Sequence, residues 1–213
     1  MFLGYAAGVG KTYAMLIEAR LRAGRGEDVV IGHLGPHTRP ETMAFAKGMA
    51  RVTPELIEYR GRHFPEIDTK AVIARRPQWV VVDELAHTNA PGTHYEKRWE
   101  SVEEILNAGI NVLSTLNVQH VESLNDYVYQ VSGVRVTETV PDEVIAGADV
   151  VVVDADPDEL IARVRRGAVV AHDEIGLALT HFFRKPVLVA LRGRAFEIGG
   201  RGSEDSGQPK GRQ

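Results

Sequence analysis

The chain has 213 residues, 44% of them hydrophobic and 25% charged, and 25 basic against 29 acidic side chains leave a formal net charge of −4. That balance argues against a nucleic-acid-binding surface, which carries a basic excess, and the absence of cysteine excludes disulfides, thiol catalysis and cysteine zinc sites. No apolar run approaches the ~20 residues that cross a bilayer, and no signal peptide opens the sequence; the expectation is a cytoplasmic protein with one domain over 1–198 and a disordered polar tail over 199–213.

The first dozen residues, Met1-Phe2-Leu3-Gly4-Tyr5-Ala6-Ala7-Gly8-Val9-Gly10-Lys11-Thr12, run from an apolar start through glycines into Lys-Thr. This reads as a P-loop for ATP and Mg2+. Glycines let backbone N–H groups turn toward phosphates, a lysine reaches the β- and γ-phosphates, and a hydroxyl faces Mg2+. Gly8, Val9, Gly10, Lys11, Thr12 and Tyr13 are the expected nucleotide contacts, with Thr12 also a metal ligand. The usual spacing places a glycine at Tyr5, whereas here Gly4 stands one residue early.

A helix follows over 12–23, with Ala14, Ile17 and Leu21 expected on the packed side and Gly24 and Gly26 as its stop. Asp28–Leu34 is a β-branched run that reads as a strand buried on both faces. Gly35–Pro40 breaks it, and 41–51 reads as a helix. Leu56–Tyr59 reads as a short strand before a basic turn over 60–63, and Asp68 as the cap of a helix ending near Pro77.

Trp79-Val80-Val81-Val82-Asp83-Glu84 delivers two carboxylates at the end of an apolar strand. At that place in a P-loop protein Asp83 holds Mg2+, and Glu84 orients and deprotonates water as the catalytic residue. The polar stretch Leu85–His94, with Pro91 and Gly92, is expected to sense the nucleotide; His87 and His94 lack a convergent metal-ligand pattern. Beyond a helix over 98–108, Ile110–Asn117 is another strand. Its end presents Thr115, Asn117, Gln119 and His120 toward the γ-phosphate, with Asn117 and His120 as nucleotide contacts, or else Asn117 and Gln119 serve as caps of a helix over 121–132. Ala148–Asp154 reads as a strand, Asp156-Pro157 as a helix start, 172–184 as a helix and Pro186–Leu191 as the last strand. Alternating strands and helices predict a three-layer α/β fold, P-loop NTPase-like, with a mostly parallel sheet.

Gly4–Leu16, Tyr59-Arg60-Gly61-Arg62, Val82–Gly92, Lys97-Arg98-Trp99, Asn117–Asp126 and Glu138–Asp142 together resemble the amino-terminal sensor domain of the KdpD osmosensitive potassium-channel sensor histidine kinases. In that family the first glycine of the loop also falls one place early. The resemblance implies an ATP-binding regulatory domain of a two-component system answering potassium limitation or osmotic stress, with a histidine kinase or other two-component protein as partner. The membrane helices and the kinase module of that family are not expected here, since about twenty residues remain after Leu191. Gly35-Pro36-His37-Thr38-Arg39 departs from the family's Glu-Thr-His-Gly-Arg. A different class, a stand-alone ATPase or nucleoside-type kinase, is also open: the Lys-Thr loop and Val-Asp-Glu strand end are similar to thymidine kinases, though no cysteine zinc site and no substrate lid with an arginine pair is visible.

Overall fold

The structure, a computed structural model, describes residues 1–35 and 40–205. The chain is α/β, with parallel strands flanked by helices as expected. It divides into two compact units, one made of Thr12–Leu116 and the other of Met1–Lys11 with Asn117–Gln213.

The first of these holds α1 (Lys11–Gly24) almost entirely, then β2 (Val29–His33), α2 (Pro40–Ala46), β3 (Ala50–Arg51), β4 (Glu55–Tyr59), β5 (Arg62–Glu66), α3 (Thr69–Arg75), β6 (Trp79–Val82), α4 (Arg98–Asn107) and most of β7 (Asn111–Asn117). Its parallel strands run in the order β3-β2-β6-β7. All five residues of β2 are buried, as the β-branched run predicts. The Asp68 carboxylate accepts from Ala71 N at 2.8 Å and caps α3, which ends at Arg76 in the left-handed region.

Three local readings are corrected here. The segment read as one helix over 41–51 is a short α2 followed by β3, because Gly48 adopts a φ of +81° and turns the chain into the strand. The basic turn is narrower than expected: only Arg60 and Gly61, both with positive φ, connect an antiparallel hairpin in which Arg62 and His63 already belong to β5. The buried face of α1 is Met15, Leu16 and Ala19, whereas Leu21 is 55% exposed. Of the polar tail expected to be disordered over 199–213, residues 199–205 are instead helical and 206–213 lie outside the described residues, as do 36–39 of the break expected over Gly35–Pro40.

The other unit pairs β1 (Phe2–Gly4) with β8 (Val151–Val153) in parallel, Leu3 facing Val152. Two 3-10 turns, Val118–His120 and Glu122–Leu124, precede α5 (Asn125–Ser132), and α6 (Asp142–Ala146), α7 (Pro157–Arg165) and α8 (Ile175–Thr180) follow. The α7 start is as read: Asp156 accepts from Asp158 N and Glu159 N, with Pro157 in the first turn. The expected last strand is instead the beginning of a helix, α9 (Lys185–Asp205). Val187, Leu188, Leu191 and Ala195 are buried while Val189 is 52% exposed, a helical period that a short apolar run conceals. Pro186 sits in the first turn, where its missing N–H costs no hydrogen bond.

Candidate functional site

The unit that begins the chain carries the glycine loop. Gly8 and Gly10 hold φ of +86° and +108°, values open to glycine and strained for other residues. A Cβ on Gly4 would lie 2.5 Å from Val9 Cγ2, and one on Gly8 2.6 Å from Val169 Cγ2, so both glycines are required by space. Arg163 fixes the turn from outside by donating to the Gly8 carbonyl at 3.1 Å. The N–H groups of Ala7 through Gly10 make no hydrogen bond among the described residues, leaving donors in the stretch that precedes a helix, which suits an anion. Lys11 Nζ donates to the Ala6 carbonyl at 3.2 Å.

In the same unit, Asn117 makes no side-chain cap bond, so the capping alternative fails for it; its Oδ1 is buried without a partner. The helix that follows is not continuous from Val121 but begins at Asn125 after the two 3-10 turns. His120 Nδ1 lies 2.8 Å from the Glu138 carbonyl, which assigns the proton to Nδ1 in the neutral ring. Burial, and then the Lys11 charge, hold its pKa below the usual histidine range against the pull of Glu138.

In the unit of Thr12–Leu116 the second half of the expected machinery converges. Asp83, 3% exposed at the end of β6, accepts from Thr12 Oγ1 at 3.0 and 3.3 Å, from Thr115 Oγ1 and from Glu84 N at 3.1 Å. Donors on all sides are what an ionised carboxylate needs when buried. Thr115 is thereby committed to orienting Asp83 and to accepting from Glu84 N at 3.1 Å, rather than to contacting a phosphate. Glu84 is left-handed, with φ +59°, and its carboxylate stays 43% exposed. Tyr13 is 44% exposed and meets Phe45 edge-on at 4.8 Å.

The feature the sequence reading did not assign is Arg98. It is 1% exposed, at the start of α4, and its guanidinium reaches the Asp83 carbonyl (3.2 Å), the Glu84 carbonyl (3.4 Å), the Glu84 carboxylate (3.6 Å) and the buried Glu66 carboxylate (3.0 Å). Glu66 also accepts from Ala90 N at 2.9 Å and meets His87 Nε2 at 3.4 Å. Burial works to raise the Glu66 pKa, but the His87, Ala90 and Arg98 contacts outweigh it and bring it down to about 2. The loop expected to sense nucleotide is therefore tied at its base, through Ala90 and His87, to the group that holds Glu84. A charged residue beside Trp99 was the signal available, but its partner lies 32 residues away on a short strand.

Among the described residues no group of three or more histidine, cysteine, aspartate or glutamate side chains could hold a metal. One hydroxyl and one carboxylate nevertheless fit Mg2+, which keeps waters and substrate phosphates and takes one or two protein ligands.

A model of the osmosensitive K+ channel His kinase sensor domain matches residues 1–199. The chain belongs to the KdpD sensor-domain family. It is 49% identical over 193 residues to the sensor protein KdpD of Mycobacterium tuberculosis and equally so to that of Escherichia coli K12, covering 90% of this chain and 22% of each relative. A putative sensor protein KdpD from Synechocystis is 50% identical over 193 residues, again 90% of this chain and 52% of the relative. The chain thus spans between about a fifth and a half of the relatives' length. No helix among the described residues is long and apolar enough to cross a membrane.

Proposed function

We propose that this KdpD-type domain is an ATP-binding regulatory module of a two-component system that answers potassium limitation or osmotic stress. Its nucleotide state sets its affinity for a partner signalling protein, a histidine kinase or another two-component component, without phosphorylating a protein itself. The observation that carries this reading is the Thr12 hydroxyl on the buried Asp83 carboxylate, directly after a glycine loop whose N–H groups are unpaired. Gly8, Val9 and Gly10 offer backbone donors to the phosphates, and Lys11 leaves the Ala6 carbonyl to neutralise them. Tyr13, Asn117 and His120 complete the nucleotide contacts. Thr12 and Asp83 would hold Mg2+, which would supply positive charge against the charge that develops on the phosphates.

Glu84 would take the proton from water. Its backbone amide is pinned to Asp83 and Thr115 and its carbonyl to Arg98, while its carboxylate remains exposed. Hydrolysis at this residue is slow or negligible in a module that signals by holding nucleotide, and fast in a stand-alone ATPase; that exposed carboxylate is the observation favouring the second reading.

Isothermal calorimetry with Mg-ATP tests the proposal. Removing the Lys11 ammonium deletes a charge-assisted contact of about 1.5–3 kcal/mol, so Lys11→Ala binds ATP at least ~10-fold more weakly. Equal affinity of the two proteins overturns it. Phosphate release and phosphotransfer to nucleosides, followed on the same samples, separate a regulatory module from an ATPase or a nucleoside kinase.

A further inference from the structure

His120 is held by its backbone and by one ring nitrogen. Its carbonyl accepts from Val140 N at 2.7 Å, Val121 beside it bridges to Val140, and its Nδ1 lies 2.8 Å from the Glu138 carbonyl. A carbonyl only accepts, so Nδ1 carries the proton and Nε2, on the opposite edge of the ring, presents a lone pair. Nε2 has no partner among the described residues and, unlike the Asn117 Oδ1, it is not sealed from solvent. Burial first, and then the charge of Lys11 at the start of α1, keep a second proton off the half-buried ring, while Glu138 favours one. Among the described residues those are the charged groups that act on it; α5 and α9, which pack against the same turn, contribute none.

That state of the ring is a poor match for a phosphate. In the same unit the amides of Ala7 through Gly10 are unpaired and Lys11 follows them, so the rest of the loop offers hydrogens and positive charge, as an anion requires. A lone pair on Nε2 instead repels an anionic oxygen. The ring has two ways to supply a hydrogen there. Moving the Nδ1 proton to Nε2 breaks the bond to Glu138 and turns a lone pair against a carbonyl oxygen, which leaves two acceptors facing each other. Taking a second proton from solvent keeps that bond and makes Nε2 a charged donor, whose bond to a phosphate oxygen is about twice as strong as a neutral one. A bound phosphate also offsets the Lys11 charge that opposes this proton.

We propose that His120 is a proton-coupled phosphate contact: as the triphosphate enters the glycine loop, one proton from solvent joins Nε2, and the resulting imidazolium donates to a phosphate oxygen while Nδ1 stays on Glu138. This deepens the reading of the loop as an ATP site and rests on it. Nucleotide affinity then depends on pH. Because a proton is taken up with ATP, affinity rises as pH falls, by up to about 10-fold per pH unit. The window runs from the pKa of the free ring, below the usual histidine value of about 6.5, up to that of the bound ring, which the phosphate raises.

The test is calorimetry of Mg-ATP binding to the full chain in Tris and in HEPES, two buffers whose different ionisation enthalpies count the protons exchanged. It is run at about pH 7, above the second phosphate pKa of about 6. The nitrogen NMR signals of the His120 ring are followed on the same samples. The expected result is a net uptake approaching one proton per ATP, lost in His120→Gln, with the Nε2 signal moving from that of an acceptor to that of an N–H. ATP binding without proton uptake, uptake that persists in His120→Gln, or an Nε2 signal that stays that of an acceptor each overturns the proposal and leaves the ATP reading standing. The wild-type ring signal decides even where His120→Gln does not fold. Absence of ATP binding overturns the ATP reading and this proposal with it.

Discussion

Asp83 and Glu84 are adjacent carboxylates with opposite surroundings, and the roles proposed for them divide accordingly. Asp83 is buried and accepts from two threonine hydroxyls and an amide, so it is fixed; Glu84 keeps an exposed carboxylate on a left-handed backbone. Asp83→Asn removes the negative charge beside the Thr12 hydroxyl that would hold the metal, and Mg2+-dependent ATP affinity should fall about 10-fold or more. Glu84→Gln should leave ATP affinity within about twofold of wild type and remove whatever hydrolysis exists. Calorimetry with a phosphate-release assay reads both, and wild-type hydrolysis in Glu84→Gln would reject the division. Lys11, Thr12, Asp83 and Glu84 were visible in the sequence because each chemistry-bearing type stands beside a local pattern, a glycine turn or an apolar strand. Arg98 and Glu66 were not, because what defines them is a buried pairing between distant segments. Nor does any residue type announce that Glu84 is left-handed.

At the scale of elements, the glycine loop is shaped by α7 and the segment just after it, far along the chain. Gly8 bears two constraints, a φ of +86° and a Cβ position 2.6 Å from Val169 and 3.0 Å from Leu160 of α7. Gly10 bears only the first, with φ +108° and open space around it. Gly8→Ala should therefore cost about 1–3 kcal/mol and lower Tm more than Gly10→Ala does, by roughly 2–4 °C for each additional kcal/mol. Equal Tm losses in thermal melts of the two variants would show that packing against Val169 contributes nothing. Helix caps and long periodic segments were legible at this scale: Asp68 and Asp156 do what their neighbours in sequence suggest. Pro186–Leu191 misleads because six apolar residues are too few to distinguish a strand from one and a half turns of helix, and only burial of Val187, Leu188 and Leu191 with exposure of Val189 decides it.

For the whole molecule, the alternation of strands and helices was enough to read the α/β class, while the division into units was beyond reach because it depends on which distant segments pack. Stability should respond to acid through His33. Its burial, and then the nearby Arg98, hold its pKa down to about 3, with Glu66 opposing and His87 adding to the depression. The unfolded chain takes up this proton near pH 6.5 and the folded chain does not, so the stabilisation is complete above pH 6.5 and is lost as pH falls toward 3. Glu66, held at about 2, acts in the same direction only below about pH 4.5. Urea unfolding at pH 7, 6 and 5 should show stability dropping by up to about 1.4 kcal/mol per pH unit for this one group, with a shallower slope in His33→Gln; an unchanged slope would assign the acid sensitivity elsewhere, with His120, also held below its usual range by burial, the next group to examine. The pairing of β1 with β8 has a consequence in time. Phe2 pairs with Val151, the Tyr5 hydroxyl donates to the Ala155 carbonyl and Arg163 holds Gly8, so this segment leaves the ribosome about 150 residues ahead of the partners it waits for. At 5–20 residues per second that wait is roughly 8–30 s. Through it the nascent glycine loop has none of these contacts, and a ribosome that stalls before Val151 releases a chain that contains the whole motif without them.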